Sequence, residues 1–206
     1  MKGKFICFEG IEGSGKSTML RHTEKYLNNK KIKYVITREP GGTDVGKKIR
    51  SILLSDKNKI CDDTELLLMF ADRAQHIHSV IQKNLLNGVN VISDRYIYAS
   101  YAYQGYGRKI SKNTIEILDK IFCSNISIDK CLYFDIDPKI ALARIKNRKL
   151  DRFEKMNKKF FLDVHKGYKY ICKKNSRKVC KIDANQNINK VKDEVIVQIS
   201  KILKIS

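Results

Sequence analysis

The sequence predicts a three-layer α/β fold, a five-stranded parallel sheet flanked by helices. Three observations predict it. Short apolar runs alternate with helically spaced segments, and a βαβα order gives a parallel sheet covered on both faces. The first apolar run leads straight into Gly10-Ile11-Glu12-Gly13-Ser14-Gly15-Lys16-Ser17, and a helical pattern follows at once. Glu9, Arg38, Asp94 and Arg95 all fall just after apolar runs. An open parallel sheet binds its ligands at those carboxyl ends.

The elements follow in order. Residues 5–8 (Phe5-Ile6-Cys7-Phe8) form the first strand, and 17–29 a helix ended by Leu27-Asn28-Asn29-Lys30. Residues 34–36 form the second strand, and Arg38-Glu39-Pro40-Gly41-Gly42-Thr43 breaks the pattern. Val45, Ile49, Ile52 and Leu53 have helical spacing over 45–54. Residues 63–87 read as one long helix, with Asp62 or Asp63 as cap and Asn87-Gly88 as stop. The third strand is 89–93, ending at Asp94-Arg95. A helix over 111–123 has Ser111 for its N-cap. The fourth strand is 131–136, and Pro138 opens a helix to about 148, as proline does at a first turn. A break at 149–153, a helix over 155–173, a fifth strand at 179–183 and a helix over 188–203 complete the chain. No repeat or linker interrupts it, so one domain is expected over 1–206.

At 206 residues the chain is long enough for one sizeable core. Apolar content of 42% with 31% charged residues fits a soluble globular protein. No apolar run is long enough to span a membrane. Met1-Lys2-Gly3-Lys4 runs directly into a strand, without the apolar leader of a secreted protein. The six cysteines form no C-x-x-C pair, which suits a reduced, cytoplasmic setting. His22, His76, His78 and His165 show no metal-ligand pattern. The net charge of +20 is spread over many loops and faces, and the chain is rich in Lys, Asn and Ile. Those residues share A/T-rich codons, so composition is favoured over a nucleic-acid surface. Such a field also attracts small anions.

The spacing G-x-x-x-x-G-K-S between strand and helix is that of a phosphate-binding loop. Gly10, Gly13 and Gly15 let the chain curl so that backbone amides of Gly10, Ile11, Glu12, Gly13, Ser14, Gly15, Lys16, Ser17 and Thr18 can converge on a polyphosphate. The helix adds the positive end of its dipole. Lys16 reaches the terminal phosphates, and the Ser17 hydroxyl can ligate Mg2+. Asp94 ends an apolar strand, the setting of an acid that holds the metal, directly or through water, or orients an acceptor. Arg95 and Arg73 are candidates to fork onto one phosphate, since the planar guanidinium matches its oxygens.

Four segments, in order and over nearly the whole chain, resemble the thymidylate kinase family of nucleoside monophosphate kinases in its bacterial form. They are Phe8-Glu9 with the loop through Thr18, then Arg38 to Thr43. Next come Asp94-Arg95-Tyr96 with Ser100-Tyr101-Ala102-Tyr103-Gln104-Gly105, and finally Leu150-Asp151-Arg152-Phe153-Glu154 followed by Phe160-Phe161. The resemblance implies a P-loop NTPase-type fold with a short lid at about 144–156. It implies transfer of the γ-phosphoryl of ATP to dTMP with Mg2+, in dTTP biosynthesis, by a homodimer that needs no nucleic acid or membrane. Phe70 would stack on the thymine, with Arg73 and Arg95 on the monophosphate and Arg38 nearby. Ser100 and Gln104 would meet the pyrimidine edge, and Tyr103 the sugar. Asp94 and Glu12 would arrange acceptor and metal, with Ser17 and Asp94 nearest the ion.

Some members of that family carry an arginine inside the loop, whereas this chain has Ile11-Glu12-Gly13-Ser14. Phosphoryl transfer still needs a cation on the equatorial oxygens. Arg144, Arg148 and Arg152 are available in the lid, with Arg152 expected to supply it and Arg148 next. Ala99, Tyr98 and Tyr101 depart from the family pattern, and the two tyrosines are expected against the core or a neighbouring helix. Leu66, Leu67, Phe70, Ile77 and Ile81 are candidates for the dimer face. The alternatives left open are a related kinase for another nucleotide and a nucleic-acid-binding P-loop ATPase.

Overall fold

The computed structural model describes residues 2–147 and 149–205. Among these, β1 (Phe5–Glu9), β2 (Tyr34–Arg38), β3 (Asn90–Asp94), β4 (Lys130–Asp135) and β5 (Val179–Asp183) form one sheet in the order β2-β3-β1-β4-β5. Every pairing is parallel, as expected. β1 is buried at all five positions because helices cover both faces. The strand order turns about β1, which pairs β3 on one side and β4 on the other. The crevice beyond its carboxyl end is therefore the ligand position. The register sets Phe8 and Arg38 opposite Asp94, so Glu9, Arg38 and Asp94 emerge on one edge.

The helices are α1 (Lys16–Asn29), α2 (Asp44–Leu54), α3 (Asp62–His76), α4 (Gln82–Leu86), α5 (Ile97–Ser100), α6 (Lys112–Cys123), α7 (Pro138–Ile145), α8 (Lys158–Lys174) and α9 (Ile188–Leu203). α1 buries Met19, Leu20, Thr23 and Leu27, the stripe that a 3.6-residue period lays against a sheet. Thr43 Oγ1 accepts from Gly46 N at 2.9 Å and caps α2. Asp137, Asn157 and Asn187 cap α7, α8 and α9 in the same way. Such caps contribute about 1 kcal/mol each.

Three boundaries differ from the sequence reading. The expected helix at 63–87 is two helices joined by a wide turn at Ile77–Ile81, and Cys61 sits at its N-cap, its thiol meeting the Thr64 hydroxyl and not capping a backbone N–H. Asp62, Asp63 and Glu65 serve its dipole from the first turn. The helix opened by Pro138 ends at Ile145, and the next begins at Lys158. Residues 97–107, which carried no predicted element, are helical as α5 and a wide π-type turn over Tyr101–Gly107. Tyrosine and glycine are poor helix formers. Packing on α8 overrides that weakness: a Cβ on Gly107 would lie 2.6 Å from Phe160, and one on Gly167 2.8 Å from Tyr106. Only glycines leave room for the Phe160 and Tyr106 side chains at these crossings.

Tyr98 and Tyr101 are partly buried against the core, and Tyr101 donates to Asp119 Oδ2 on α6 at 3.3 Å. Of the dimer-face candidates, Leu66, Phe70, Ile77 and Ile81 are core residues, and only Leu67 is exposed. α6, which packs on α3, also carries the exposed Ile117, Ile121 and Phe122. No helix of the described residues is long and apolar enough to cross a membrane.

Candidate active site

A cleft of about 790 Å³ opens beyond the carboxyl end of β1. The loop from Glu12 to Thr18 forms one wall, and Arg38, Arg73, Arg95, Ser100, Tyr103 and Gln104 form the facing one. Gly13 (φ 72°) and Gly15 (φ 90°) take the left-handed backbone that bends the loop. A Cβ on Gly13 would lie 2.2 Å from Ala141 O, so α7 packs directly on the loop.

Lys16 Nζ donates to Gly10 O at 2.9 Å and Ile11 O at 3.0 Å, and approaches Ser14 Oγ at 3.4 Å. Gly10 and Ile11 thus hold the lysine with their carbonyls. Burial, aided by Arg95, pushes the Lys16 ammonium down to about 8. Ser17 lines the cleft beside Asp94. Asp94 Oδ1 is buried with no hydrogen-bond partner among the described residues, and Oδ2 lies 3.7 Å from Arg38 Nη2. A hydroxyl and an orphaned carboxylate oxygen on one cleft are a donor set that fits a hard divalent ion. Among the described residues no three or more His, Cys, Asp or Glu side chains could hold a metal together, so phosphate and water must complete its shell.

Arg95 spans the two walls. Its Nη1 donates to Gly10 O at 2.9 Å and Tyr168 Oη at 3.1 Å. Its Nη2 donates to Glu12 Oε1 at 2.6 Å and Tyr103 Oη at 3.1 Å. Tyr103 Oη in turn donates to Glu12 Oε2 at 2.5 Å. The Arg95 backbone is left-handed at φ 72°, a strain of about 1–3 kcal/mol for a residue with a Cβ. It is pinned by Arg95 N to Phe8 O at 2.9 Å and Ser93 Oγ to Arg95 O at 2.7 Å.

Arg73 belongs to a different cluster and is not paired with Arg95. It is 1% exposed, with Nε donating to Glu39 Oε2 at 2.7 Å and Nη1 to Ser100 Oγ at 3.0 Å. Glu39 Oε1 meets His76 Nδ1 at 2.8 Å, and His76 Nε2 meets Thr37 Oγ1 at 2.6 Å. Phe70 is buried and does not line the cleft; the Arg73 guanidinium lies over its ring at 5.0 Å. Arg73 and Ser100 thus mark the inner end of the cleft, and Arg95 the end at the loop.

Arg152 is not on the cleft wall. Its Nη2 donates to Glu65 Oε2 at 2.7 Å and its Nε to Leu53 O at 2.8 Å. Among the described lid arginines it is Arg144 that meets the loop: its Nη1 reaches Gly13 O at 3.3 Å and its Nη2 reaches Ala184 O at 3.4 Å. The helix period explains this: Arg144 follows Ala141 by three residues, on the face that packs on Gly13. Arg148 lies outside the described residues.

Three buried acids carry no role in the sequence reading. Glu39 holds Arg73. Glu65 holds Arg108, Arg152 and Gln104. Glu9 accepts from Tyr96 N at 2.8 Å, Ala99 N at 3.3 Å and Tyr168 Oη at 2.8 Å. Burial pushes the Glu9 carboxyl up to about 7, against the pull of Arg95. A signal existed for one of them, Glu65. Glu65, Asp72, Arg73 and His76 recur at helical spacing among the apolar positions of α3 and are all buried. A charged residue on an apolar stripe needs a partner.

A phosphate loop at the switch point of a parallel sheet, facing a wall of arginines and amides, defines a P-loop α/β protein with room for a second anionic ligand. The thymidylate kinase family model matches residues 8–195, so the chain belongs to the thymidylate kinase family. It is 42% identical over 212 residues to a thymidylate kinase of Prochlorococcus marinus (strain NATL2A), covering 99% of each chain. It is 45% identical over 196 residues to one of Buchnera aphidicola subsp. Baizongia pistaciae (strain Bp), covering 93% of this chain and 92% of the relative. One from Francisella philomiragia is 40% identical over 201 residues, covering 96% and 98%.

Proposed function

We propose that the chain phosphorylates dTMP to dTDP with ATP. One observation carries this: the loop and a separate base-reading wall face each other across a single cleft, bridged by Arg95. The two phosphate ends must meet there, in line, which supplies the proximity that phosphoryl transfer requires.

Lys16 and the loop amides cradle the donor phosphates. Arg95, aligned by Glu12 and Tyr103, takes the acceptor phosphate, with Arg38 beside it. Arg73 and Ser100 meet the base, with Phe70 behind the guanidinium. Gln104 completes that end, and Tyr103 lies against the sugar. Ser17 and Asp94 would hold Mg2+, which when bound neutralises charge on the donor oxygens. Among the described residues of the lid, Arg144 is the arginine that reaches the loop. The cleft runs on to Gln186, Ile188 and Val191, an apolar end that suits the donor base.

The chain acts as one domain, with 144–156 as its lid, in the cytoplasm. It works as a homodimer through Leu67, Ile117, Ile121 and Phe122, an apolar patch with a reason to be covered. Light scattering after gel filtration tests that assembly, and Ile121→Glu should yield monomers. Initial rates with ATP and dTMP, dUMP, dCMP, dGMP or thymidine test the activity. Preference for dTMP is expected; a clear preference for any other acceptor would overturn it.

A further inference from the structure

Gln104 lines the cleft, and its Nε2 donates to Glu65 Oε1 at 2.8 Å. Glu65 is fully buried. Its carboxylate already accepts from Arg108 Nε at 3.2 Å, Arg108 Nη2 at 2.9 Å and Arg152 Nη2 at 2.7 Å. A carboxylate facing two guanidinium groups offers Gln104 lone pairs and nothing else. The amide must therefore turn its nitrogen toward Glu65. Its Oε1 has no protein partner among the described residues and is what the cleft receives. One helical turn away, Arg73 Nη1 and the Ser100 hydroxyl supply donors.

We infer that Glu65 is a specificity-determining positioning residue: by locking Gln104 with its carbonyl oxygen toward the cleft, it makes the site read a hydrogen-bond donor at N3 of the acceptor pyrimidine. The inference rests on the dTMP kinase reading and deepens it. Thymine and uracil carry N3–H between two carbonyls. Cytosine carries a lone pair at N3 beside a 4-amino group. Against cytosine, Oε1 meets an acceptor, and the donors of Arg73 and Ser100 meet an amino group. The Gln104 carbonyl oxygen and the free Arg73 N–H are then left without partners, the arrangement that discriminates strongly. An amide free to flip would present its NH2 to cytosine instead. Glu65 forbids that flip. The 5-methyl group of thymine plays no part in this contact.

The test compares dTMP, 5-methyl-dCMP and dUMP as acceptors under ATP, in the full chain and in Glu65→Gln, with folding checked by thermal melting. dTMP and 5-methyl-dCMP differ only at N3 and C4. In the unaltered chain, kcat/KM should favour dTMP over 5-methyl-dCMP by about 100-fold or more. In Glu65→Gln, whose amide can donate or accept, that preference should fall by about tenfold or more. The dTMP-to-dUMP ratio should hold in the same variant. A general loosening of the site would move both ratios together. Should Glu65→Gln not fold, Glu65→Asp keeps the charge for both arginines but withdraws the carboxylate from Gln104, with the same loss expected. Turnover of 5-methyl-dCMP on a par with dTMP, or an undiminished preference in the folded variants, overturns the inference alone. No turnover of dTMP at all overturns the proposed function with it.

Discussion

Arg95 Nη2 lies 2.6 Å from Glu12 Oε1, so the end of β3 is tied to the middle of the phosphate loop. The loop carries an acid where some relatives carry an arginine. That acid shares its second oxygen with Tyr103, and the guanidinium also reaches Gly10 O and Tyr168. Donor and acceptor walls are therefore held in register by one side chain in a strained backbone.

Glu12→Gln should weaken this alignment without emptying the loop. A hydrogen bond to a charged group contributes about 1.5–3 kcal/mol. The expected result is a rise in KM for dTMP of about tenfold or more, with a smaller change in KM for ATP. Steady-state kinetics with each substrate varied in turn would show it. A larger effect on ATP would place Glu12 on the donor side only.

The Arg73–Glu39 pair, at 2.7 Å, is buried on both sides. Breaking a buried pair by removing one partner costs about 3–5 kcal/mol, because the other charge is stranded. Glu39→Ala should therefore lower stability by about that amount in guanidinium unfolding. It should also raise KM for dTMP, since Arg73 loses its orientation toward Ser100. A variant as stable as the unaltered chain would show that the pair is solvated or rearranges freely.

Much of this fold is legible in the sequence, and the parts that are not share a cause. β1 reads as an apolar run because both its faces are covered, and the loop reads as a motif because phosphate binding requires glycines at fixed offsets. Residues 97–107 do not, because their helix is imposed by α8 through Gly107 and Gly167 and not by their own propensity. Within the site, Lys16, Arg95 and Gln104 stand out in the sequence as candidates, and all three line the cleft. Glu39, Glu65 and Glu9 are buried against protein partners, and nothing local in the sequence says whom they face. Arg152 shows the same limit. It stands in a lid-like segment, but its orientation is set by Glu65, 87 residues away in the chain.

The pH dependence of nucleotide binding should report Lys16. Its ammonium is pushed down to about 8 in the ligand-free loop, by burial first and Arg95 second. Phosphate favours the charged form. Below about pH 8 that form is already present and affinity for ATP should be flat. Above it, binding must take up a proton, so the dissociation constant should rise by up to about tenfold per pH unit. Calorimetry from pH 6.5 to 9.5, in buffers of different ionisation enthalpy, would measure the affinity and the proton together. A constant affinity through pH 9.5 would contradict it. Lys16→Ala should lose the pH dependence, and its kcat should fall by about 10²–10³-fold.

Arg144 and Arg152 make opposing predictions. Arg144 reaches Gly13 O from the face of α7 that packs on the loop, and it lines the cleft. For Arg152 to reach the transferring phosphoryl it must first abandon Glu65 Oε2 and Leu53 O. Doing so would remove one of the four hydrogen bonds, and one of the two guanidinium partners, of the buried Glu65 carboxylate, which works against the movement. Arg144→Ala should accordingly lower kcat by about 10²–10³-fold with little change in KM for dTMP or in melting temperature. Arg152→Ala should instead lower the melting temperature and disturb discrimination at Gln104, with kcat reduced by less than about tenfold. Rapid-quench measurement of the transfer step separates this from slow product release. If Arg152→Ala abolishes the transfer step in a fully stable protein while Arg144→Ala leaves it intact, the catalytic cation is Arg152, delivered after its bond to Glu65 breaks.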